Sequence, residues 1–383
     1  MKEISLHVMP EAISAQLSYI SYHFLLYKLA LQHQPGSLLK LLPRHFPTIN
    51  MLFSKLTQRS FSSSAMTASN TIRHLISISD LSTPEFKSLV NRAEFHKNLI
   101  KSKQKPVEWP LQGELVAMLF TKRSTRTRIS TEGAAAYFGG QPMFLGKEDI
   151  QLGVNESFYD TTKVISSMTS CIFARVNSHN DIQQLCEHSS VPIINSLCDR
   201  YHPLQAICDL LTIKENFKEL KGLKLAWIGD ANNVINDMAI AAMKFGINVT
   251  VATPAGIEIE QHVIDAAAKV TAETGATLEL THDSKAAATD ANILVTDTFI
   301  SMGEESQTQQ KLKQFEGFQI NAELASLAHK NYKFLHCLPR HKEEVSDDVF
   351  YSDHSVVFPE AENRLYAAIA TIEAFVVNKG QFL

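Results

Sequence analysis

Apolar and polar positions change character along this chain near residue 79. From Ser79 onward, short apolar runs alternate with stretches at helical spacing, the pattern of β-α-β units wound around parallel sheets. Two such series are legible. The first predicts strands near Leu115–Phe120, Met143–Leu145, Cys171–Arg175 and Pro192–Asn195, and an alanine-rich helix from Ile129 to Phe138 stopped by Gly139-Gly140. A long helix from Pro203 to Phe217 follows. The second series predicts strands near Leu223–Ile228, Val249–Ala252, Thr277–Leu280, Ile293–Thr296, Lys333–Leu335 and Ser355–Phe358, and closes with a helix over Glu360–Val377. The expected fold class is α/β, with two domains that are each a mostly parallel sheet flanked by helices, linked by long interdomain helices. Residues 70–205 form the first domain, completed by the C-terminal helix 359–383, and residues 206–358 form the second.

Residues 1–65 follow another pattern. No acid occurs between Glu11 and Asp80, while Lys28, Lys40, Arg44, Lys55, Arg59 and Arg73 punctuate a hydroxyl- and leucine-rich stretch. That composition reads as a mitochondrial transit peptide, best developed from Met51 to Ala65, or else as a disordered extension. A mitochondrial matrix protein is expected. The net charge of −4 gives no reason to expect a nucleic-acid partner. The longest apolar candidate for a membrane span, Ile20 to Leu31, is interrupted by His23 and Lys28, so no membrane partner is expected either. Five scattered cysteines without a C-x-x-C pair argue against a disulfide framework or a zinc site.

The chemistry concentrates at predicted strand ends. Ser124-Thr125-Arg126-Thr127-Arg128 lies between a buried strand and a helix, with Ser124 near the N-cap. A helix start carries unpaired N–H groups and partial positive charge, and Lys122, Arg123, Arg126 and Arg128 add cations, so the segment is suited to a phosphate. Arg175 ends the next strand but one, and His202-Pro203-Leu204-Gln205 opens the long helix, so both fall beside the anion. In the second series Asn233, Asp297 and Ser301-Met302-Gly303 supply the amide, acid and turn N–H groups that an amino acid requires. Gly229-Asp230-Ala231-Asn232-Asn233 has one glycine where a dinucleotide loop needs three, which disfavours a nicotinamide site. Cys337, at a sheet edge, is expected to be half exposed and open to reaction. Arg364, placed in the first turn of the last helix, opposes the helix dipole and so calls for a specific partner.

The segments S-T-R-T-R, H-P-L-Q, D-T-F-I-S-M-G, H-C-L-P-R and F-P-E-A-E-N-R, in this order from about Ile72 to the C-terminus, resemble the ornithine carbamoyltransferases of mitochondrial, anabolic type. The first two are shared with aspartate carbamoyltransferases; S-M-G with H-C-L-P-R is the ornithine-type combination. The resemblance implies transfer of the carbamoyl group of carbamoyl phosphate to the side-chain amine of L-ornithine, giving L-citrulline and phosphate, with no cofactor and no metal. It further implies that Ser124, Thr125, Arg126, Thr127, Gln151 and Arg175 bind carbamoyl phosphate, with His202 and Gln205 at its carbamoyl end. Asn233, Asp297, Ser301 and Met302 match the ornithine site, and Cys337, Leu338 and Arg364 surround the reacting centre. Cys337, Asp297, His202 and Arg175 are the expected catalytic groups. A homotrimer with active sites at subunit boundaries is implied too. The alternatives are a carbamoyltransferase for another amine, such as putrescine or aspartate, and a catalytically inactive ligand-binding relative.

Overall fold

The computed structural model describes residues 72–104, 108–152, 155–300 and 308–383. The leader expected over residues 1–65 lies outside them, as do Ser301, Met302 and Gly303. In chain order the main elements of the first half are α1 (Thr83–Lys101), β1 (Leu115–Phe120), α2 (Arg126–Tyr137), β2 (Gln141–Gly146), α3 (Phe158–Met168), β3 (Cys171–Arg175), α4 (His179–His188) and β4 (Ile193–Leu197). The long helix α5 (Pro203–Asn216) leads into β5 (Lys224–Ile228), α6 (Asn233–Lys244), β6 (Asn248–Ala252), α7 (Gln261–Thr274), β7 (Leu278–Thr281), β8 (Ile293–Thr296), β9 (Lys333–His336) and α8 (Val357–Ile372). The strands form two fully parallel sheets, ordered β2-β1-β3-β4 and β7-β6-β5-β8-β9.

Burial explains why the strands read as continuous apolar runs. β3 and β8 are buried along their whole length, and β1 and β5 except at their first residue, because helices cover both faces of a parallel sheet. The edge strand β2 is exposed over Gln141, Pro142 and Met143. Pro142 is tolerated there because an edge strand can spare one N–H. β4 begins one residue later than expected and runs to Leu197. Its pairing with β3 skips at Ala174/Arg175, and such an irregularity re-aims the side chain at a strand end, here Arg175.

One predicted strand is absent. Ser355–Phe358 does not join the sheet: Ser355 makes only an isolated bridge to Phe334, and α8 starts at Val357. The β-branched Val356-Val357 pair suggested a strand, but Pro359 falls in the first helical turn, where its missing N–H has no intrahelical partner to lose. At the other end α8 widens into a π turn over Glu373–Val377. The helix packs against α1, α2 and α5.

Helix α5 is buried at every residue from Pro203 to Ile213, as α6 is from Val234 to Lys244. Its N-cap residue, His202, makes no side-chain cap. The cap is supplied from α6 instead: the Asp237 carboxylate accepts the His202 N–H at 2.8 Å and the Ile78 N–H at 2.7 Å. Burial pushes the Asp237 pKa up to about 8, against the opposing pull of the two N–H groups. Replacing Asp237 with Ala leaves both N–H groups buried without an acceptor. The expected cost is roughly 2–5 kcal/mol, read as a lower urea midpoint at fixed protein concentration; an unchanged midpoint would refute the capping role.

Candidate active site

Strand order reverses between β1 and β3 in the first sheet and between β5 and β8 in the second. Such switch points leave a crevice at the carboxyl ends of the strands. Here the two crevices contribute to one cavity of about 580 Å³. Ser124, Thr125, Arg126, Thr127, Arg175, His202, Gln205, Asn233, Asp297, Cys337, Leu338 and Arg364 all line it. Gln151 does not. Its side-chain oxygen accepts from Asn155 Nδ2 at 2.7 Å on the exposed surface.

On one side of the cavity positive charge is in excess. Thr125, rather than Ser124, occupies the N-cap of α2 and makes no side-chain cap; Ser124 Oγ still accepts the Thr127 N–H at 3.3 Å. Arg126 donates to the Leu338 carbonyl. Arg175 and Arg364 are 6% and 2% exposed, and each keeps a buried Nε–H without a partner. Burial, and then the neighbouring guanidinium groups, push Arg175 down to about 10. Arg364 is lowered as well, chiefly by burial. Among the described residues no carboxylate pairs with Arg126, Arg175 or Arg364. Three guanidiniums in one wall, with N–H groups to spare, fit a multiply charged anion. Lys122 lies half-buried beside them, its pKa lowered by burial and by Arg175. Arg128 turns away, to Glu132 at 2.9 Å and over the Phe144 ring at 4.0 Å.

The beginning of α8 at Val357 places Arg364 beyond the first turn, so the dipole argument for it lapses. Its partners are nonetheless specific: Nη1 donates to Gln205 Oε1 at 2.8 Å and faces His202 Nε2 at 3.2 Å, and Nη2 donates to Thr127 Oγ1 at 3.2 Å. Arginine has no acceptor, so His202 accepts at Nε2 and carries its hydrogen on Nδ1. That Nδ1 is buried without a partner. Burial, then Arg364, Arg175 and Arg126, hold His202 well below the usual histidine range, as a neutral donor. Both Gln205 N–H groups are engaged within the protein, Nε2 donating to Asp209 at 2.7 Å and to Glu360 at 3.0 Å, while its oxygen keeps a second lone pair.

The opposite side of the cavity presents acceptors. Asp297 ends β8 and receives the Cys337 thiol at Oδ1 (2.9 Å) and Asn232 Nδ2 at Oδ2 (3.0 Å). Asn232 also caps α6, accepting the Val234 and Ile235 N–H groups at 3.0 and 3.3 Å. Sequence reasoning passed over Asn232; an asparagine immediately before a helix was the available signal. Asn233 Nδ2 donates to the Cys198 carbonyl at 2.6 Å. Cys337 is half-buried, as expected, but burial of its thiol, and then the Asp297 charge, push the thiol well up, so it is a protonated donor and not the reactive thiol expected. Leu338 adopts the left-handed conformation at φ 59°, unusual for a side chain of its size. Its N–H donates to His336 Nδ1 at 3.0 Å, and His336 Nε2 meets Glu344 at 3.0 Å. Asp297, His336 and Cys337 offer metal-ligand atoms within 4.8 Å of one another, yet both His336 nitrogens are already committed, which leaves that trio short of a ligand.

Two family descriptions match the chain: "Aspartate/ornithine carbamoyltransferase, carbamoyl-P binding domain" over residues 73–215, and the "Asp/Orn binding domain" of the same family over residues 221–375. The chain is 66% identical over 334 residues to an ornithine carbamoyltransferase of Saccharomyces cerevisiae, covering 84% of this chain and 98% of that protein. It is 60% identical over 338 residues to the mitochondrial ornithine transcarbamylase of Pachysolen tannophilus, covering 87% and 97%. Among solved structures, a mitochondrial ornithine carbamoyltransferase from Coccidioides immitis superposes with a TM-score of 0.77 at 54% identity, covering 82% of this chain and 100% of that one.

The Cys337–Asp297 contact has a measurable consequence. Asp297→Asn removes the charge that opposes thiolate formation, so the Cys337 pKa falls. Below the pKa each unit multiplies the thiolate by ten and weakens its nucleophilicity in part, giving roughly threefold faster alkylation per unit. Iodoacetamide labelling of Cys337 at pH 8 followed by mass spectrometry should show that increase; a slower reaction would refute the coupling.

Proposed function

Because this chain belongs to the aspartate/ornithine carbamoyltransferase family and carries ornithine carbamoyltransferase activity, we propose how its own residues divide the transfer from carbamoyl phosphate to ornithine. The observation that carries the assignment is the meeting, in one cavity, of a guanidinium cluster lacking carboxylates with the Asp297–Cys337–Asn232 group. Arg126, Arg175 and the α2 start, with Ser124, Thr125 and Thr127, take the phosphate. His202 and Arg364 are assigned to the carbamoyl end, where negative charge develops as the carbonyl carbon becomes tetrahedral. The phosphate then leaves into the arginine cluster, which already compensates its charge.

The amine presents the complementary problem. An alkylamine with a pKa of ~10.4 is protonated at pH 7, and attack by its neutral form requires about 4 to 5 kcal/mol. Asp297 orients the ammonium through the free lone pairs of its two oxygens. Cys337 and the Leu338 carbonyl border the path of the departing proton. Asn233, with Ser301 and Met302, is assigned to the amino-acid end of ornithine. Holding both reactants at the facing ends of the two sheets makes the attack effectively unimolecular.

Gln151 cannot serve the cavity of its own protomer from its surface position, and we assign it to the carbamoyl phosphate site of a neighbouring copy in a homotrimer. The compartment proposed is the mitochondrial matrix, the mitochondrion being named for the Pachysolen and Coccidioides proteins, with residues 1–65 as the leader. The domain assignment proposed is 70–205 with 359–383 for carbamoyl phosphate and 206–358 for ornithine, in keeping with the packing of α8 on α1 and α2.

Supplying carbamoyl phosphate with ornithine, putrescine or aspartate in turn should give a carbamoylated product from ornithine alone; product from another amine, or none, would refute the acceptor assignment. Arg126→Ala should lower kcat/KM by roughly 100- to 1000-fold and weaken carbamoyl phosphate binding. Unchanged carbamoyl phosphate affinity with near-normal turnover would remove Arg126 from the phosphate site. Gln151→Ala subunits mixed with Arg126→Ala subunits should regain activity if the two residues act across a boundary, because one site in a mixed trimer then has both intact.

A further inference from the structure

Two buried acids, Asp209 on α5 and Glu360 on α8, have no part in the roles assigned above. Each is 2% exposed, and their carboxyl groups hydrogen-bond to one another. Two carboxyls can bond directly only with a proton between them. Burial raises both, and for Glu360 the Asp209 charge adds to it, so the pair holds one proton.

Carboxyl oxygens facing an amide accept its N–H groups. Gln205 Nε2 donates to Asp209 Oδ1 at 2.7 Å and to Glu360 Oε1 at 3.0 Å, which leaves its oxygen turned to Arg364 at 2.8 Å. A flipped amide would set its NH₂ against the Arg364 N–H groups, donor against donor. Arg364 in turn faces His202 Nε2 at 3.2 Å, which assigns the imidazole hydrogen to the unpartnered Nδ1. We propose that the Asp209–Glu360 pair orients Gln205 and thereby fixes the direction of Arg364 and the tautomer of His202 at the carbamoyl end of the site. Both acids are positioning residues that touch no substrate. The inference rests on the carbamoyl-transfer reading given above.

The bonds around the pair are unequal, and that inequality separates this role from a merely structural one. Both Glu360 oxygens accept an N–H, Oε1 from Gln205 and Oε2 from the His336 main chain at 2.9 Å. Asp209 accepts an N–H from Gln205 at Oδ1 and meets Glu360 through the shared proton. In Asp209→Asn the new carboxamide oxygen still accepts from Gln205, so each of the N–H groups around the pair keeps its acceptor. In Glu360→Gln an NH₂ stands where an N–H must be accepted, and either Gln205 or His336 loses its acceptor.

Citrulline formation by the wild-type protein and both variants tests the relay. Asp209→Asn should keep kcat within about threefold, whereas Glu360→Gln should lose at least ~tenfold in kcat, the equivalent of one buried N–H left unpaired. The ornithine KM of Glu360→Gln should stay within about threefold, because the ornithine side is built on β8 and α6. Equal losses in the two variants, or an unaltered kcat in Glu360→Gln, would overturn the proposal. The ¹⁵N shifts of the histidine-labelled wild-type protein, assigned with a His202→Asn control, give a readout independent of either variant: His202 protonated on Nδ1 is expected, and protonation on Nε2 overturns the relay. A wild-type protein that forms no citrulline would overturn the function and the relay together, whereas an active wild type with equally impaired variants overturns the relay alone.

Discussion

The architecture turns on a buried guanidinium without a carboxylate. Arg364, 2% exposed, sits near the C-terminus of the chain yet bonds to Thr127 in the first turn of α2 and to His202 and Gln205 at the start of α5. A buried cation is costly unless polar partners satisfy it, and neutral partners do so without cancelling its charge. The positive potential therefore survives in the cavity wall. By packing on α1, α2 and α5, α8 brings a third guanidinium to Arg126 and Arg175 on the carbamoyl phosphate side.

Around that charge the two sheets divide the chemistry by sign. The first sheet's switch point presents Arg126 and Arg175 with hydroxyls and a helix start; the second presents Asp297 with Asn232 and a protonated Cys337. Were these groups in contact, Arg126 and Asp297 would neutralise each other. Keeping them unpaired leaves the anion site short of negative charge and leaves the carboxylate for an incoming ammonium. The loop after β9 stands between the two walls: Leu338 is held left-handed by His336, which Glu344 backs, and its carbonyl receives Arg126.

Much of this was legible in the residue pattern. Leu115–Phe120, Cys171–Arg175 and Ile293–Thr296 have the expected bounds because fully buried parallel strands are continuous apolar runs that end where polar chemistry begins. The α2 start and the H-P-L-Q helix start were legible for the same reason, being punctuation between periodic segments. Ser355–Phe358 failed because a short β-branched run does not distinguish a strand from the first turn of a helix. Misplacing that boundary also misplaced Arg364 in the helix, so the sound expectation of a specific partner rested on an unsound dipole argument. Asp209 and Glu360 were invisible, since each acts through a neighbour in space, whereas Asn232 offered only the cap signal of an asparagine before a helix.

The sequence by itself determined the α/β class, the strand positions and the residue types available for an anion and an amine, because periodicity and helix-start chemistry are read over ten or so neighbouring positions. Only the tertiary structure decided which of those residues meet and in what protonation state. The Arg364–Thr127 bond spans 237 residues, the Gln205–Glu360 bond 155 and the Cys337–Asp297 bond 40. The direction of an amide, the tautomer of His202 and the protonation of Cys337 follow from burial and from partners brought together by chain return, and no local pattern encodes those quantities.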